Sequence, residues 1–472
     1  AGLVAALIMK KSYPDLKVDI IESSKIGIIG VGEGSTEHWK EFMDFLGIDP
    51  KQMLKECDAT FKAGIMFDNW SDKPYLQTVE GAYNVKYHDI PAIYAKLIAD
   101  EKPLVQDDTF NSVVLWDNDP QEMLDNFPVV QFHFNTQKLN VFLHKLADQR
   151  GVNVYDDVIT DVEVNENGIG KLTGENDSYE YDFYIDSTGF NKLLIGKLGA
   201  TWNSFSEYLR MNSAIVFPTG DEEEYPMWTL ARAMDAGWMF RIPVWGRKGN
   251  GYIFDKNYIT PEQAKAEVED YLDIEIPEYR HIEFDPGYVD RPWIKNCVAI
   301  GLSASFVEPL EATSIGTSIQ QAFLLANRIF NYNDRSIELY NQEVEDILID
   351  IRDFIALHYI VEREDTPFWK DQKSVPVPPR LAANLEMWKH RLPIEGDFGN
   401  ESSYRLFGPL NYTLILEGNN LFDRESIRKQ WETFPEDIHE FTNKTLSNTE
   451  IDFLTAKQIP HKLVIDLIRR LT

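Results

Sequence analysis

The chain has 472 residues, 43% hydrophobic and 12% aromatic, enough apolar material for a large core and too much length for one small domain. Its formal net charge of -31 at pH 7 sets it against phosphate backbones and anionic lipid, so neither nucleic acid nor a membrane is an expected partner. Cys57 and Cys297 alone make neither a disulfide framework nor a zinc cluster; no metal site is expected, the expected compartment is a reducing cytoplasm, and no apolar run reaches the roughly eighteen residues of a membrane span.

Leu3 to Lys11 predicts a helix. Tyr13-Pro14-Asp15 turns the chain, and Val18 to Ile21 reads as a short buried strand ending at Glu22. In a dinucleotide-binding fold, an acidic residue about twenty positions after the glycine loop accepts the ribose hydroxyls. Glu22 lies at that distance from Gly2, so Ala1-Gly2 reads as the tail of a glycine-rich loop and the natural chain is expected to begin upstream. Any βαβ unit can also end a strand on Glu, and the residues alone leave both readings open. Gly30-Val31-Gly32-Glu33-Gly34-Ser35 either lets the backbone approach something flat or anionic or makes a tight loop.

An amphipathic helix follows around Trp39 to Phe45, then a mixed region to about Pro128 and a second helix from Thr136 to Arg150. Val152 to Val164 alternates as strand, and Gly168 to Lys171 predicts a turn. Tyr181 to Asp186 predicts a buried strand that ends at Ser187-Thr188-Gly189 and returns the chain to the first sheet. From about Asn203 to Pro286, short strand-like runs rich in Trp, Tyr and Phe predict a second sheet forming a substrate wall. Cys297 to Gly301 is a further buried strand, leading through Glu308-Pro309-Leu310-Glu311 into a long helix from Thr313 to about Tyr332. The remainder reads as mainly helical, with Val375 to Pro379 as the candidate rigid connector.

Four stretches together resemble the flavin-dependent halogenases of the tryptophan-halogenase type. They are Gly30-Val31-Gly32-Glu33, Phe61-Lys62, the run Ala231 to Pro243 containing Trp238-Met239-Phe240-Arg241-Ile242-Pro243, and Phe306-Val307-Glu308-Pro309-Leu310-Glu311-Ala312-Thr313-Ser314-Ile315. Their order and separations carry the resemblance, which runs from the first residues to at least Trp369. It implies an α/β (α+β) architecture: a Rossmann-like FAD-binding fold of flavin-monooxygenase type with a second substrate-wall sheet and a largely helical C-terminal cap. The parts expected are an FAD-binding part over 1–200 with inserted segments carrying Lys62, a wall sheet over 201–290, a return to the FAD-binding part with the halide site over 291–335, and a cap over 336–472. FAD contacts are expected at Gly2, Glu22, Gly32, Glu33, Asp186, Gly189 and Gly301.

The resemblance also implies a chemistry. Reduced FAD (FADH2) and O2 give a flavin hydroperoxide, whose distal oxygen a halide ion attacks to form hypohalous acid. A helix N-terminus binds anions through exposed amides and its dipole, which suits a halide at Thr313 and Ser314. The resembled family has Gly where Ser314 stands, and chloride, bromide and iodide all stay open. An internal passage would lead the oxidant to Lys62, whose ammonium donates to it or whose amine becomes a haloamine. Glu311 would polarise the halogen donor and stabilise charge on the attacked ring. Glu308 is its rival, and either carboxylate can instead favour the helix N-terminus.

Trp238 and Phe240 occupy the positions of two family tryptophans that keep substrate from the flavin, Phe240 retaining bulk without the indole N–H. A second glycine fingerprint for NAD(P)H is missing, so a separate flavin reductase is the expected partner, together with a small aromatic substrate of indole or phenol type. A homo-oligomer stays open. Competing readings are a flavin-dependent hydroxylase of an aromatic substrate and a non-catalytic FAD-fold binding protein. Trp369, Trp388, Trp431, Tyr404, Tyr412 and His88 are candidates for the substrate pocket, with core packing as the rival role.

Overall fold

The computed structural model describes residues 1–28, 33–78, 90–105, 112–115, 131–398, 405–455 and 457–471. The first helix spans Gly2–Ser12, and all seven residues from Leu3 to Met9 are buried, because it lies against both the Thr136–Gln149 and the Thr313–Arg328 helices. Lys10 and Lys11 end it, where cations oppose the helix dipole favourably. Asn135 caps the Thr136–Gln149 helix by accepting from the Gln137 amide at 3.1 Å. Asp19–Glu22 then pairs in parallel with Asn153–Asp156.

Two sequence expectations need correction. Gly168 to Lys171 is strand rather than turn: Gly168–Gly174 pairs antiparallel with Ile159–Asn165. Gly168 has φ +120, and a side chain there would collide with Asn296, which accepts from the Ile169 amide at 2.9 Å. Glycine serves this strand start, not a longer turn. Tyr184–Asp186 does not rejoin the first sheet either. It pairs in parallel with Cys297–Ala299, to which Trp293–Ile294 adds antiparallel, as a separate three-stranded sheet. The start of the first helix lies beside this sheet's ends, with Gly2 facing Ser187 and Ala1 facing Gly301.

The expected second sheet has seven strands, in the order Arg280–Glu283, Ser213–Thr219, Arg247–Phe254, Gly237–Val244, Trp228–Met234, Gly64–Asp68 and Tyr75–Thr78. All neighbours run antiparallel except Trp228–Met234 with Gly64–Asp68. The segment just after Lys62 is therefore stitched into the sheet carrying Trp238 and Phe240. A smaller sheet of Glu33–Gly34, Gln131–Phe134 and Thr60–Lys62 lies at the junction and carries Lys62 itself.

The Thr313–Arg328 helix ends four residues before Tyr332, and a 25-residue helix, Asp334–His358, follows it with Asn333 as cap. Further helices complete the C-terminal region, among them Pro379–Trp388, Pro409–Gly418 and Arg424–Glu432. One continuous apolar core joins the first helix, the wall sheet and these helices. Among the described residues, no helix is long and apolar enough to cross a membrane.

Candidate active site

Gly34 brings the separate motifs to one place. Its missing side chain leaves room for Lys62, whose Cδ lies 3.3 Å from where a Cβ would stand, and for Ala312, whose Cβ lies 3.5 Å away. Thr36 is pressed against Gly316 in the same manner, so the glycine-rich segment is clamped onto the start of the Thr313–Arg328 helix. Residues 29–32 precede this contact, and the expected cofactor residue Gly32 lies outside the described residues.

Lys62 is 3% exposed and donates from Nζ to the Ser35 carbonyl at 2.9 Å. Burial pulls its ammonium down to about 8, while the Glu311 and Glu37 carboxylates oppose that pull. Behind its strand, Thr60 donates to the Pro243 carbonyl at 2.6 Å and His133 bonds Thr229 at 2.9 Å. Burial and the Lys62 charge hold His133 well below its ordinary value, so it stays a neutral ring. His461, also buried and pulled down to about 4 by that burial, accepts from the Phe61 amide at 3.0 Å. Lys62 is thus held at both its strand and its tip.

Glu311 ends a short 3-10 turn, Pro309–Glu311, and is buried. Its Oε1 lies 2.8 Å from His358 Nε2, at the far end of the Asp334–His358 helix. Glu308, the rival carboxylate, is fully buried, accepts from Trp238 Nε1 at 2.7 Å and from the Tyr359 hydroxyl at 2.6 Å, and is pushed up to about 7 by burial. The two acids divide accordingly: Glu308 fastens Trp238, and Glu311 faces the Lys62 charge. Phe240 lies 6.1 Å from Trp238, centroid to centroid, over Gly251, where any side chain would collide with its ring.

Ala312 has φ +55, so the chain turns sharply before the helix, and no side chain caps the first amides at Thr313 and Ser314. Such uncapped amides suit an anion. A hollow lined by Gly301, Phe306, Val307, Thr313, Ser314 and Thr317 opens there, uniting the expected halide residues with an expected flavin residue. A larger cavity of about 480 Å³, beside Arg210, Asp255, Asp285 and Asp371, contains none of the predicted site residues.

The remaining expected flavin residues fare unequally. Gly189 and Gly301 adopt φ of +70 and +72, and nothing lies within 4 Å of a side chain added at Gly189. The backbone at Gly189 admits a flat ligand closely, whereas at Gly301 that space is taken by Ala1 and Ser318. Glu22 keeps a half-exposed carboxylate whose Oε1 meets His144 at 2.9 Å, and the Glu33 carboxyl is pushed up to about 7 by burial. Asp186 is engaged by the protein on both oxygens. Its Oδ1 accepts from the Thr188 amide and hydroxyl and from Ser303, and its Oδ2 from the Leu194 and Ile195 amides. These five protein donors let Asp186 secure the turn at Gly189. The open backbone and uncapped helix still fit a flavin with an adjacent halide.

Sequence reasoning missed His358, Tyr359 and Glu37. Nothing in the sequence links the last turn of a long helix to a carboxylate forty-seven positions earlier, and Glu37, at the cap of the His38–Leu46 helix, stands in none of the motifs. Of the proposed pocket aromatics, Trp369 and Trp388 are fully buried and donate to the Met234 carbonyl and to Asp397, both at 2.8 Å, and Tyr412 is buried too. These are core residues. Trp431 stacks on His439 at 4.1 Å, and Tyr404 and His88 lie outside the described residues.

Residues 1–430 match the family model described as tryptophan halogenase. A 7-chloro-L-tryptophan 6-halogenase, KtzR, from Kutzneria sp. (strain 744) is 31% identical over 471 aligned residues, covering 89% of this chain and 88% of the relative. Tryptophan 7-halogenase RebH from Lentzea aerocolonigenes is 28% identical, covering 89% of this chain and 88% of the relative. Among solved structures, the tryptophan 6-halogenase SttH from Streptomyces toxytricini is similar with a TM-score of 0.85 and 26% identity, over 99% of this chain and 97% of that one. Xcc4156, a flavin-dependent halogenase from Xanthomonas campestris, gives 0.81 and 26%, over 99% and 95%.

Proposed function

This chain belongs to the tryptophan halogenase family and is a flavin-dependent halogenase, and from that premise we propose that Lys62 and Glu311 deliver the halogen to an indole ring. The contact of Gly34 with both Lys62 and Ala312 carries this reading, because it gathers three motifs that are far apart in sequence into one buried spot. Reduced flavin, when bound, supplies hypohalous acid from oxygen and a halide. The uncapped amides of Thr313 and Ser314 hold that halide beside the Gly301 backbone, and Trp238, fixed by Glu308, keeps the aromatic substrate apart from the flavin.

With its ammonium pulled down to about 8, Lys62 is protonated at neutral pH yet sheds its proton more easily than a surface lysine. It therefore donates a hydrogen bond to the hypohalous oxygen, and Glu311 stabilises the positive charge that develops on the ring. The relatives named as tryptophan 6- and 7-halogenases favour an indole, whereas the core positions of Trp369 and Trp388 identify no clamp for a free amino acid. A separate reductase supplies FADH2 in this reading.

The test is mass spectrometry of the chain with FAD, a flavin reductase, NADH, oxygen and a panel of indoles and phenols in chloride, bromide or iodide. Products shifted by the mass of the supplied halogen support the assignment. Hydroxylated products independent of halide move the chain to the hydroxylase reading. Glu311→Gln is expected to slow product formation about a hundredfold while flavin affinity holds.

A further inference from the structure

We propose that His358 is the proton store behind Glu311: the two side chains share one exchangeable proton, which is given to the departing hydroxyl during halogenation and replaced by the proton that the ring loses. The inference deepens the reading above and rests on Glu311 facing the halogen donor.

His358 Nδ1 lies 2.7 Å from the Phe354 carbonyl and Nε2 lies 2.8 Å from Glu311 Oε1. A carbonyl can only accept, so Nδ1 carries a hydrogen. A neutral imidazole has no second N–H to offer. Either Nε2 is protonated as well, giving an imidazolium against a carboxylate, or the carboxyl of Glu311 carries the hydrogen and donates it to Nε2. Both forms contain one proton more than a neutral imidazole beside a carboxylate.

Burial favours these neutral-overall forms. The side chains of His358 and Glu311 are 0% and 2% exposed, and a lone carboxylate at such a place carries a desolvation cost of several kcal/mol. The imidazole is held by rings, with Phe354 edge-on at 4.8 Å and Phe67 at 5.0 Å. Tyr75 donates to Asn419 at 2.9 Å, and Asn419 in turn donates to the His358 carbonyl at 3.2 Å, which fixes the helix end. The charged or titratable groups facing the pair are Lys62, Glu37 and Tyr75, all coupled to the Glu311 charge or to Lys62, and Glu308 is tied up nearby by Trp238 and Tyr359.

The reaction balances through this pair. The ring π electrons form the carbon–halogen bond, the halogen–oxygen bond breaks, and its electron pair leaves on oxygen. The pair's proton joins that oxygen, releasing water and leaving a neutral imidazole and a carboxylate. The arenium then yields its C–H electrons to the ring and its proton to Glu311, restoring the pair. Hypohalous acid is the oxidant and the ring is oxidised by two electrons. His358 does not touch the substrate; it is a positioning and proton-holding residue acting through Glu311.

The first test needs no turnover. Nitrogen NMR of the full chain with labelled histidine, and the infrared difference between wild type and Glu311→Gln, read the protonation of the pair directly. Two protonated His358 nitrogens, or a protonated carboxyl that vanishes in Glu311→Gln, are expected; a neutral His358 beside an ionised Glu311 overturns the proposal. The second test uses indole and ring-deuterated indole with His358→Gln, which can hold Glu311 in place without carrying the proton. Turnover is expected to fall about a hundredfold with KM nearly unchanged, and a primary deuterium isotope effect absent from the wild type should emerge. Unchanged turnover, or a slow variant without the isotope effect, overturns the proposal. Halogenation that survives Lys62→Ala would instead sink the underlying reading, so the two failures are distinct. If His358→Gln fails to fold, the spectroscopic test on wild type and Glu311→Gln still decides.

Discussion

Replacing Lys62 by Met should abolish halogenation and yet make the protein more stable near neutral pH. Burial pulls the Lys62 ammonium from its ordinary 10.5 to about 8, and at about 1.4 kcal/mol for each factor of ten in proton affinity this corresponds to about 3 kcal/mol spent holding the charge inside. Met fills nearly the same volume without the charge. Against that gain stands the lost hydrogen bond to the Ser35 carbonyl, about 1 kcal/mol, the attraction of Glu311 and Glu37 being already contained in the net lowering to about 8. A net stabilisation of about 1–2 kcal/mol near pH 7 remains.

The pH dependence isolates the charge. The unfolded chain binds the Lys62 proton more tightly than the folded one, so between about pH 8 and 10.5 wild-type stability should rise relative to Lys62→Met by about 3 kcal/mol. Urea unfolding of both proteins at about pH 7 and about pH 10 measures this, since other groups titrate alike in the two chains. Curves that run parallel through this window would refute the reasoning, because they would mean that the Lys62 ammonium is not desolvated in the folded state.

Gly34→Ala places a methyl 3.3 Å from Lys62 Cδ, tight enough to displace the side chain but not the fold; turnover should drop about tenfold with melting temperature nearly unchanged, read by kinetics and calorimetry together. Glu308→Gln should remove a pH dependence: the Glu308 carboxyl is raised to about 7, so wild-type stability contains a component that is full below 4.5 and lost as pH climbs through about 7, and denaturation across that range should lack it in the variant. Ser314→Gly opens the first turn of the Thr313–Arg328 helix, and competition between chloride and bromide should show an altered product ratio with the same substrate.

Helices were the legible part of this fold. Leu3–Lys11, Trp39–Phe45 and Thr136–Arg150 all announce themselves through apolar spacing, and their observed limits differ by a residue or two. Strand pairing was not legible, since a strand's sequence states that it is buried without naming its neighbour. For that reason the sequence places Tyr184–Asp186 in the first sheet whereas it pairs with Cys297–Ala299, and the union of Gly64–Asp68 with Trp228–Met234 is invisible before folding. Among the candidate site residues, Lys62, Glu311, Thr313 and Ser314 stand in contiguous motifs, which is why the sequence alone points to them. The family resemblance implies a flavin contact at Asp186, and the five protein donors around that carboxylate are visible only in the folded chain. His358 became visible only when folding placed its two nitrogens between two acceptors.

The most direct test of Lys62 as the residue that delivers the halogen is a side-by-side assay of wild type and Lys62→Ala, with FAD, a reductase, NADH, oxygen, indole and chloride or bromide, following halogenated product by mass and oxygen consumption in parallel. Loss of halogenated indole with oxygen consumption intact is the predicted result. Halogenated indole formed at an undiminished rate by Lys62→Ala would contradict the account.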